Sequence, residues 1–204
     1  VAMFSQDKAN VTNKNSITMK KEKSVAMFAK DEDSKAINEV NIKILGDNSV
    51  GMFGKVKATV QNTGTIDLGT TGSNLTGLIG MFGQSSNASE SVKIENLGGT
   101  INVNTESSAG MYADNSSGTV SNVTLENTGT ININRKKSAG IYAPKSTVSK
   151  VGKVNLANVA DGASAVYIED GGVVTAAETA EINLGTANQN RVAYYVKNAN
   201  SNVK

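Results

Sequence analysis

The chain has 204 residues, of which 38% are hydrophobic and 4% aromatic, and its formal net charge is +2 with Lys, Arg, Asp and Glu interspersed. So thin an apolar supply excludes a thick core and favours an elongated fold, and so balanced a charge gives no electrostatic case for nucleic acid or an anionic membrane. Cysteine and histidine are absent, which excludes a disulfide framework, thiolate metal sites and any Ser-His-Asp triad.

The first residues, "VAMFSQDK", are neither an initiator Met nor a signal peptide. They fall inside a motif that recurs along the chain, so the chain is expected to be a piece of a longer one. No run of about 20 apolar residues is present to span a bilayer as a helix.

The recurring motif reads "SVAMFAK" at 24–30, "SVGMFGK" at 49–55, "LIGMFGQ" at 78–84, "SAGMYAD" at 108–114 and "SAGIYAP" at 138–144. Its ring falls at Phe4, Phe28, Phe53, Phe82, Tyr112, Tyr142, Tyr167 and Tyr195, at intervals of 24, 25, 29, 30, 30, 25 and 28 residues. All four Phe and all Tyr except Tyr194 are used in this way. Such placement marks an internal repeat, with units beginning near Val1, Ser24, Ser49, Leu78, Ser108, Ser138, Ala163 and Arg191.

Between successive rings lies one apolar pair spaced by two: Ile17/Met19, Ile42/Ile44, Ile66/Leu68, Ile101/Val103, Ile131/Ile133, Val154/Leu156 and Ile182/Leu184. The clearest copies, "NTGTIDL", "NLGGTINVN" and "NTGTININ", open with Asn62, Asn96 and Asn127 and place Gly64, Gly99 and Gly129 before the pair. Asn and Gly tolerate positive φ and so mark a corner, while the alternation after it marks a strand with one buried face. A weaker strand precedes several corners, as in "SVKIEN" and "VSNVTLEN". No segment has the 3.6-residue period of an amphipathic helix, and Leu is too sparse for leucine-rich repeats. Units of about 27 residues built from short strands and polar corners predict an all-β parallel β-helix of about seven coils. At about 4.8 Å per coil this makes a rod of roughly 34 Å.

In-register coils would stack equivalent residues, giving an aromatic ladder from the rings and an amide ladder from the corner Asn. Strict alternation in "SAGMYA" sets Ala109, Met111 and Ala113 on one face and Gly110 and Tyr112 on the other. The aliphatic set is expected inside and the ring outside, although a bulge at the Gly would turn the ring in as well. A structural ladder is one role for the rings. The other is an exposed stripe that grips a glycan or a protein, and Tyr in place of Phe in the last four units suits a ring whose edge reaches water.

Enzymatic chemistry finds little support. A glycosidase needs two carboxylates across a cleft, and the candidates, Asp31, Glu32 and Asp33 in "KDEDSK" and Glu169 with Asp170 in "YIEDGG", read as solvated turns. No phosphate-binding loop, H-E-x-x-H, EF-hand loop or Gly-Asp nonapeptide repeat is present, and no catalytic, metal or cofactor residue is assigned. Charge before the ring motif in "MKKEK" (19–23) and "NRKK" (134–137) reads as solvated corners, or as a basic spot for acidic glycans or an anionic surface protein. Longer corners at 69–77, 84–91 and 114–121 protrude from the predicted rod, and binding residues favour loops on rigid scaffolds. Candidate contacts there are Thr70, Ser73, Asn74, Ser86, Asn87, Asn115 and Ser116. Five N-x-S/T sequons begin at Asn10, Asn74, Asn87, Asn115 and Asn122, and Pro144 is expected in a corner.

The combination N-x-G-T-I-[ND]-[ILV] followed by S-[AV]-[GA]-[MI]-[FY]-[AG], best seen in "NTGTININRKKSAGIYA" (127–143), resembles the passenger repeats of large fusobacterial-type autotransporter adhesins, including RadD-like members. The resemblance is strongest over 49–143. "GASAVYIED" and "NRVAYYVK" keep the ring but lose the Gly before it. The resemblance implies a right-handed β-helix in a passenger exported to the cell surface and tethered by a C-terminal outer-membrane barrel. It also implies adhesion to a surface protein or glycan on other bacteria or host cells. The alternatives are a spacer shaft without a partner of its own, and a carbohydrate-active β-helix.

Overall fold

A computed structural model describes residues 1–117, 119, 122–186 and 190–204. The described chain is a right-handed parallel solenoid with three sheets and about 28 residues per turn. The first sheet has eight strands: Met3–Gln6, Val25–Lys30, Val50–Lys55, Ile79–Ser85, Ala109–Asn115, Ala139–Tyr142, Ser164–Glu169 and Val192–Lys197. The second sheet, also of eight, runs from Asn10–Asn13 to Asn202–Val203, and the third, of seven, from Ile17–Met19 to Glu181–Asn183. Every pairing is between equivalent strands of adjacent turns. Met3 pairs with Met27, Met27 with Met52, Met52 with Met81 and Met81 with Met111.

Apolar residues line the narrow interior as ladders. Met27, Met52, Met81, Met111 and Ile141 are fully buried on the first sheet, and Ile42, Ile66, Ile101, Ile131 and Val154 on the third. Outward neighbours on the third sheet are polar, and their amides chain together: Asn155 donates to Asn132 at 2.9 Å, Asn132 to Asn102 and Asn102 to Asp67 at 2.8 Å.

The corner between second and third sheets holds a buried polar column. Asn13 donates from Nδ2 to Asn38 Oδ1, Asn38 to Asn62 and Asn62 to Asn96, each at 2.8 Å, and Asn96 to Asn127 at 2.7 Å. The second N–H of these amides closes the corner itself, as from Asn62 to the Gly64 carbonyl at 3.2 Å and from Asn96 to that of Gly99 at 3.1 Å. The column ends where Asn127 donates to the Val151 carbonyl at 2.5 Å, because the next turn has no Asn there. The sequence reading of this corner needs one correction. None of Asn62, Asn96, Asn127, Gly64, Gly99 or Gly129 has positive φ. Glycine is required here for close approach instead: a Cβ on Gly129 would lie 2.7 Å from the Asn96 amide nitrogen and 2.8 Å from the Gly99 backbone nitrogen.

Left-handed backbone is concentrated at the other corners. Lys23, Asn48, Gly77, Ser107, Lys137 and Gly162, with φ of 50–67°, stand immediately before the six middle ring motifs. Where a serine follows it ties neighbouring turns, and Ser49, Ser108 and Ser138 are buried: Ser24 N–H donates to Ser49 Oγ at 3.0 Å, and Ser108 N–H to Ser138 Oγ at 3.3 Å.

Leaving buried amide partners unpaired costs about 1–3 kcal/mol each. Asn96→Leu should therefore lower the unfolding free energy by about 2–4 kcal/mol, and Asn102→Leu on the solvent side by less than about 1 kcal/mol, as measured by urea denaturation.

Candidate functional site: a tyrosine-walled groove

The solvent face of the first sheet carries the rings. Along Val25–Lys30, Ala26, Met27 and Ala29 are buried while Val25, Phe28 and Lys30 reach the surface. Two consecutive inward residues break the simple alternation, and the inner of these two positions is Gly51, Gly80, Gly110 and Gly140 in the central turns. A Cβ on Gly110 would lie 2.7 Å from the Gly140 carbonyl oxygen and 2.9 Å from Ile131 Cγ2. The strand kinks inward at this glycine, and the ring two residues later emerges on the outside.

Ring centroids are 4.7–5.2 Å apart along the whole rod. Planes are close to parallel from Phe28 to Tyr142, with Tyr112 and Tyr142 only 5° apart. Each such pair is worth about 0.5–1.5 kcal/mol beyond its area. The stack turns abruptly between Tyr142 and Tyr167, whose planes meet at 84°, and resumes between Tyr167 and Tyr195 at 21°.

Glu169 sits at this break. Its side chain is only 13% exposed. It accepts from Tyr142 Oη at 2.5 Å and Tyr167 Oη at 3.3 Å, and pairs with Lys197 Nζ at 2.9 Å. The Tyr142 hydrogen bond, followed by that of Lys197, holds the Glu169 carboxyl below the usual range, while burial and the same carboxylate push the Tyr142 phenol up. The expectation of a solvated Glu169 turn is thus corrected. Only Asp170, with φ of +54°, is in the turn proper. The position could have been found from spacing, because residues two beyond each ring share its face. Gln84 and Asp114, both two beyond a ring, are likewise bonded at 2.9 Å.

Three residues before the rings lies another outward row: Val25, Val50 and Ile79, then Ala109, Ala139 and Ser164, and finally Val192, which closes the far end of the row. The change from branched aliphatic to small side chains opens a groove of about 670 Å³. Tyr112, Tyr142, Tyr167 and Tyr195 form one wall, and the corner residues Ser107, Lys137, Gly162 and Asn190 form the other. The groove begins where Phe gives way to Tyr, and small floor residues accompany the phenols in the turns of Tyr112, Tyr142 and Tyr167.

The seven loop residues singled out from sequence are not brought together. Thr70, Ser73 and Asn74 are at the third-to-first corner, with Thr70 and Asn74 exposed. Ser86, Asn87, Asn115 and Ser116 lie across the first sheet at its other margin. There Ser116 N–H donates to the Ser85 carbonyl at 3.1 Å. Asn87 is held by Glu90 at 2.8 Å. Asn115 is buried and serves the corner, donating to the carbonyls of Thr119 at 2.8 Å and Lys145 at 2.6 Å. Residues 118, 120 and 121 of the third loop lie outside the described residues. Asp31 and Asp33 adopt left-handed turn conformations, and Glu32 is 3.5 Å from Lys57. Among the described residues no group of three or more acidic side chains converges in a way that could hold a metal ion.

Residues 1–179 match the family model of the BigA third pectate lyase-like domain. The chain belongs to that family. This relationship supports a kinship with passenger domains of autotransporter-type adhesins. Neither the curated proteins nor the solved structures yield a match.

Because Glu169 has a lowered pKa, its contribution is present above the ordinary carboxyl range and lost as pH falls through the lowered value. Thermal unfolding between pH 7 and pH 3 should show stability declining on acidification more in the native chain than in Glu169→Gln, whose melting temperature should already be lower at pH 7.

Proposed function

We propose that the chain is a non-catalytic segment of the passenger of a bacterial surface adhesin, attaching the cell to other bacteria or to host cells. The observation that carries this reading is the coincidence, in a member of the BigA domain family, of phenols and small floor residues that turn a regular shaft into a groove. The carboxylates weighed for catalysis support the same reading. Those of Asp31, Glu32 and Asp33 belong to an early corner, and that of Glu169 is occupied by two phenols and an ammonium. Export to the cell surface and a C-terminal outer-membrane barrel on the parent chain belong to this proposal. A closer kinship with the fusobacterial, RadD-like adhesins belongs to it too, supported by the repeat "NTGTININRKKSAGIYA". A regular rod is also what a spacer requires, and the same experiment separates the two.

The purified chain is to be tested for saturable binding to bacterial cells, host cells and arrayed glycans. Binding that falls at least about tenfold in Tyr112→Ala/Tyr142→Ala, with the strand-rich circular dichroism retained, is the expected result. Absence of binding to every surface by a folded chain would leave a shaft.

A further inference from the structure

The groove's own chemistry narrows what it can hold. Its length from Tyr112 to Tyr195 covers ring spacings of 5.0, 4.9 and 4.7 Å. Its floor is methyl and methylene surface with few polar groups left over. Ser108 Oγ accepts from Leu78 N–H at 3.0 Å and donates to the Glu106 carbonyl at 2.9 Å. Ser138 Oγ accepts from Ser108 N–H and donates to the Thr105 carbonyl at 3.0 Å. The hydroxyls of Tyr142 and Tyr167 are directed to Glu169. A sugar chain pressed into this groove would leave many of its own hydroxyls without partners, a cost of roughly 1–3 kcal/mol for each one buried.

An extended peptide rich in proline avoids that cost. Its rings are apolar and its backbone lacks most N–H donors. A polyproline II helix repeats every three residues, about 9.3 Å, close to two ring spacings of this wall. A β-strand returns a side chain to the same face every two residues, about 6.6 Å, which falls out of step with the same ladder. Tyr-lined grooves suit polyproline II because the helix is already ordered before it binds. At the 84° break, Tyr142 and Tyr167 do not cover each other face to face, so a proline ring can meet an aromatic face there instead of edges. Among the described residues that line the groove, Lys137 is the one that carries a charge, and it makes no ion pair with a described carboxylate. Its neighbours Arg135 and Lys136, in contrast, are paired with Glu106 at 3.3 and 3.7 Å.

We infer that the tyrosine-walled groove is a docking site for a polyproline II segment of a partner protein, about five residues long and carrying an acidic residue opposite Lys137. The inference rests on the adhesive reading of the segment and names the partner class of the same surface. The bound chain lies along the rod. Its prolines pack on Ala109 and Ala139 and against the rings, and the hydroxyls of Tyr112 and Tyr195 face its carbonyls.

The test titrates the full 204-residue chain, by fluorescence polarisation, into labelled decapeptides of Pro and Glu, of Pro alone and of Gly, Ser and Glu, alongside oligogalacturonate and neutral oligosaccharides. The expected result is saturable binding of the Pro/Glu peptide, weaker binding of the all-Pro peptide and none of the Gly/Ser/Glu peptide. Ala139→Trp, which fills the floor, should weaken binding at least about tenfold. Lys137→Glu should weaken it about two- to fivefold, the scale of one exposed ion pair. Both variants are to be checked for native circular dichroism. Peptide binding unaltered by either folded variant would overturn the assignment, as would binding of sugars without binding of peptides. Cell binding by the chain that excess Pro/Glu peptide does not compete would also overturn it while preserving the adhesive reading. Absence of cell binding together with absence of peptide binding would remove both.

Discussion

The structure depends on parallel strands held in register at one fixed spacing. Once equivalent residues of successive turns lie over one another, most inward, corner and ring positions have the same kind of side chain above and below them. Methionine meets methionine, amide meets amide, and ring meets ring. The apolar interior is non-directional, so specificity of register falls to the polar column at the corner. There the amides of Asn38, Asn62 and Asn96 are each satisfied twice, once by the neighbouring Asn and once by their own turn. A slipped register would strand those amides away from water, which is far costlier than shifting an aliphatic contact.

This regularity explains which parts of the fold were legible in the sequence. Rings and apolar pairs at a near-constant interval are the direct imprint of stacking, and two of the three strands per turn follow from them, while the third shows only weakly, as in "SVKIEN". Whether the rings lie inside or outside turns on a kink at one residue. Glycine announces such a kink only ambiguously, since it serves positive φ and close approach alike. At Gly110 and Gly129 the answer is close approach. The left-handed residues were hidden for the opposite reason, because Lys23, Ser107 and Lys137 carry no local signal for such a backbone. Neighbouring turns impose it on them.

The groove was only half visible. The replacement of Phe by Tyr can be read directly, and it suggested an edge exposed to water. The matching change three residues earlier, from Val50 and Ile79 to Ala109, Ala139 and Ser164, looks unremarkable in a chain rich in small residues. Its meaning appears only when those positions are seen to share one outward row. The protruding loops drew attention by their length, but length here chiefly absorbs irregularity between turns. Glu90 and Asn115 spend their polar groups inside their own corners. Glu169 was misjudged because its partners come from turns on either side, 27 residues before it and 28 after.

Strand pairing between whole turns has a further consequence. Corners of different length, such as 69–77, are accommodated without disturbing the ladders on either side, whereas loss or gain of part of a strand would misalign all three sheets at once. Outside the corners, duplication or deletion in such a chain therefore preserves the pairing only when it comes in complete turns. The distance at which the groove is held from any anchor is quantised, in steps of about 4.8 Å for each unit added. Copying a turn elsewhere in the rod lengthens it while leaving the groove untouched.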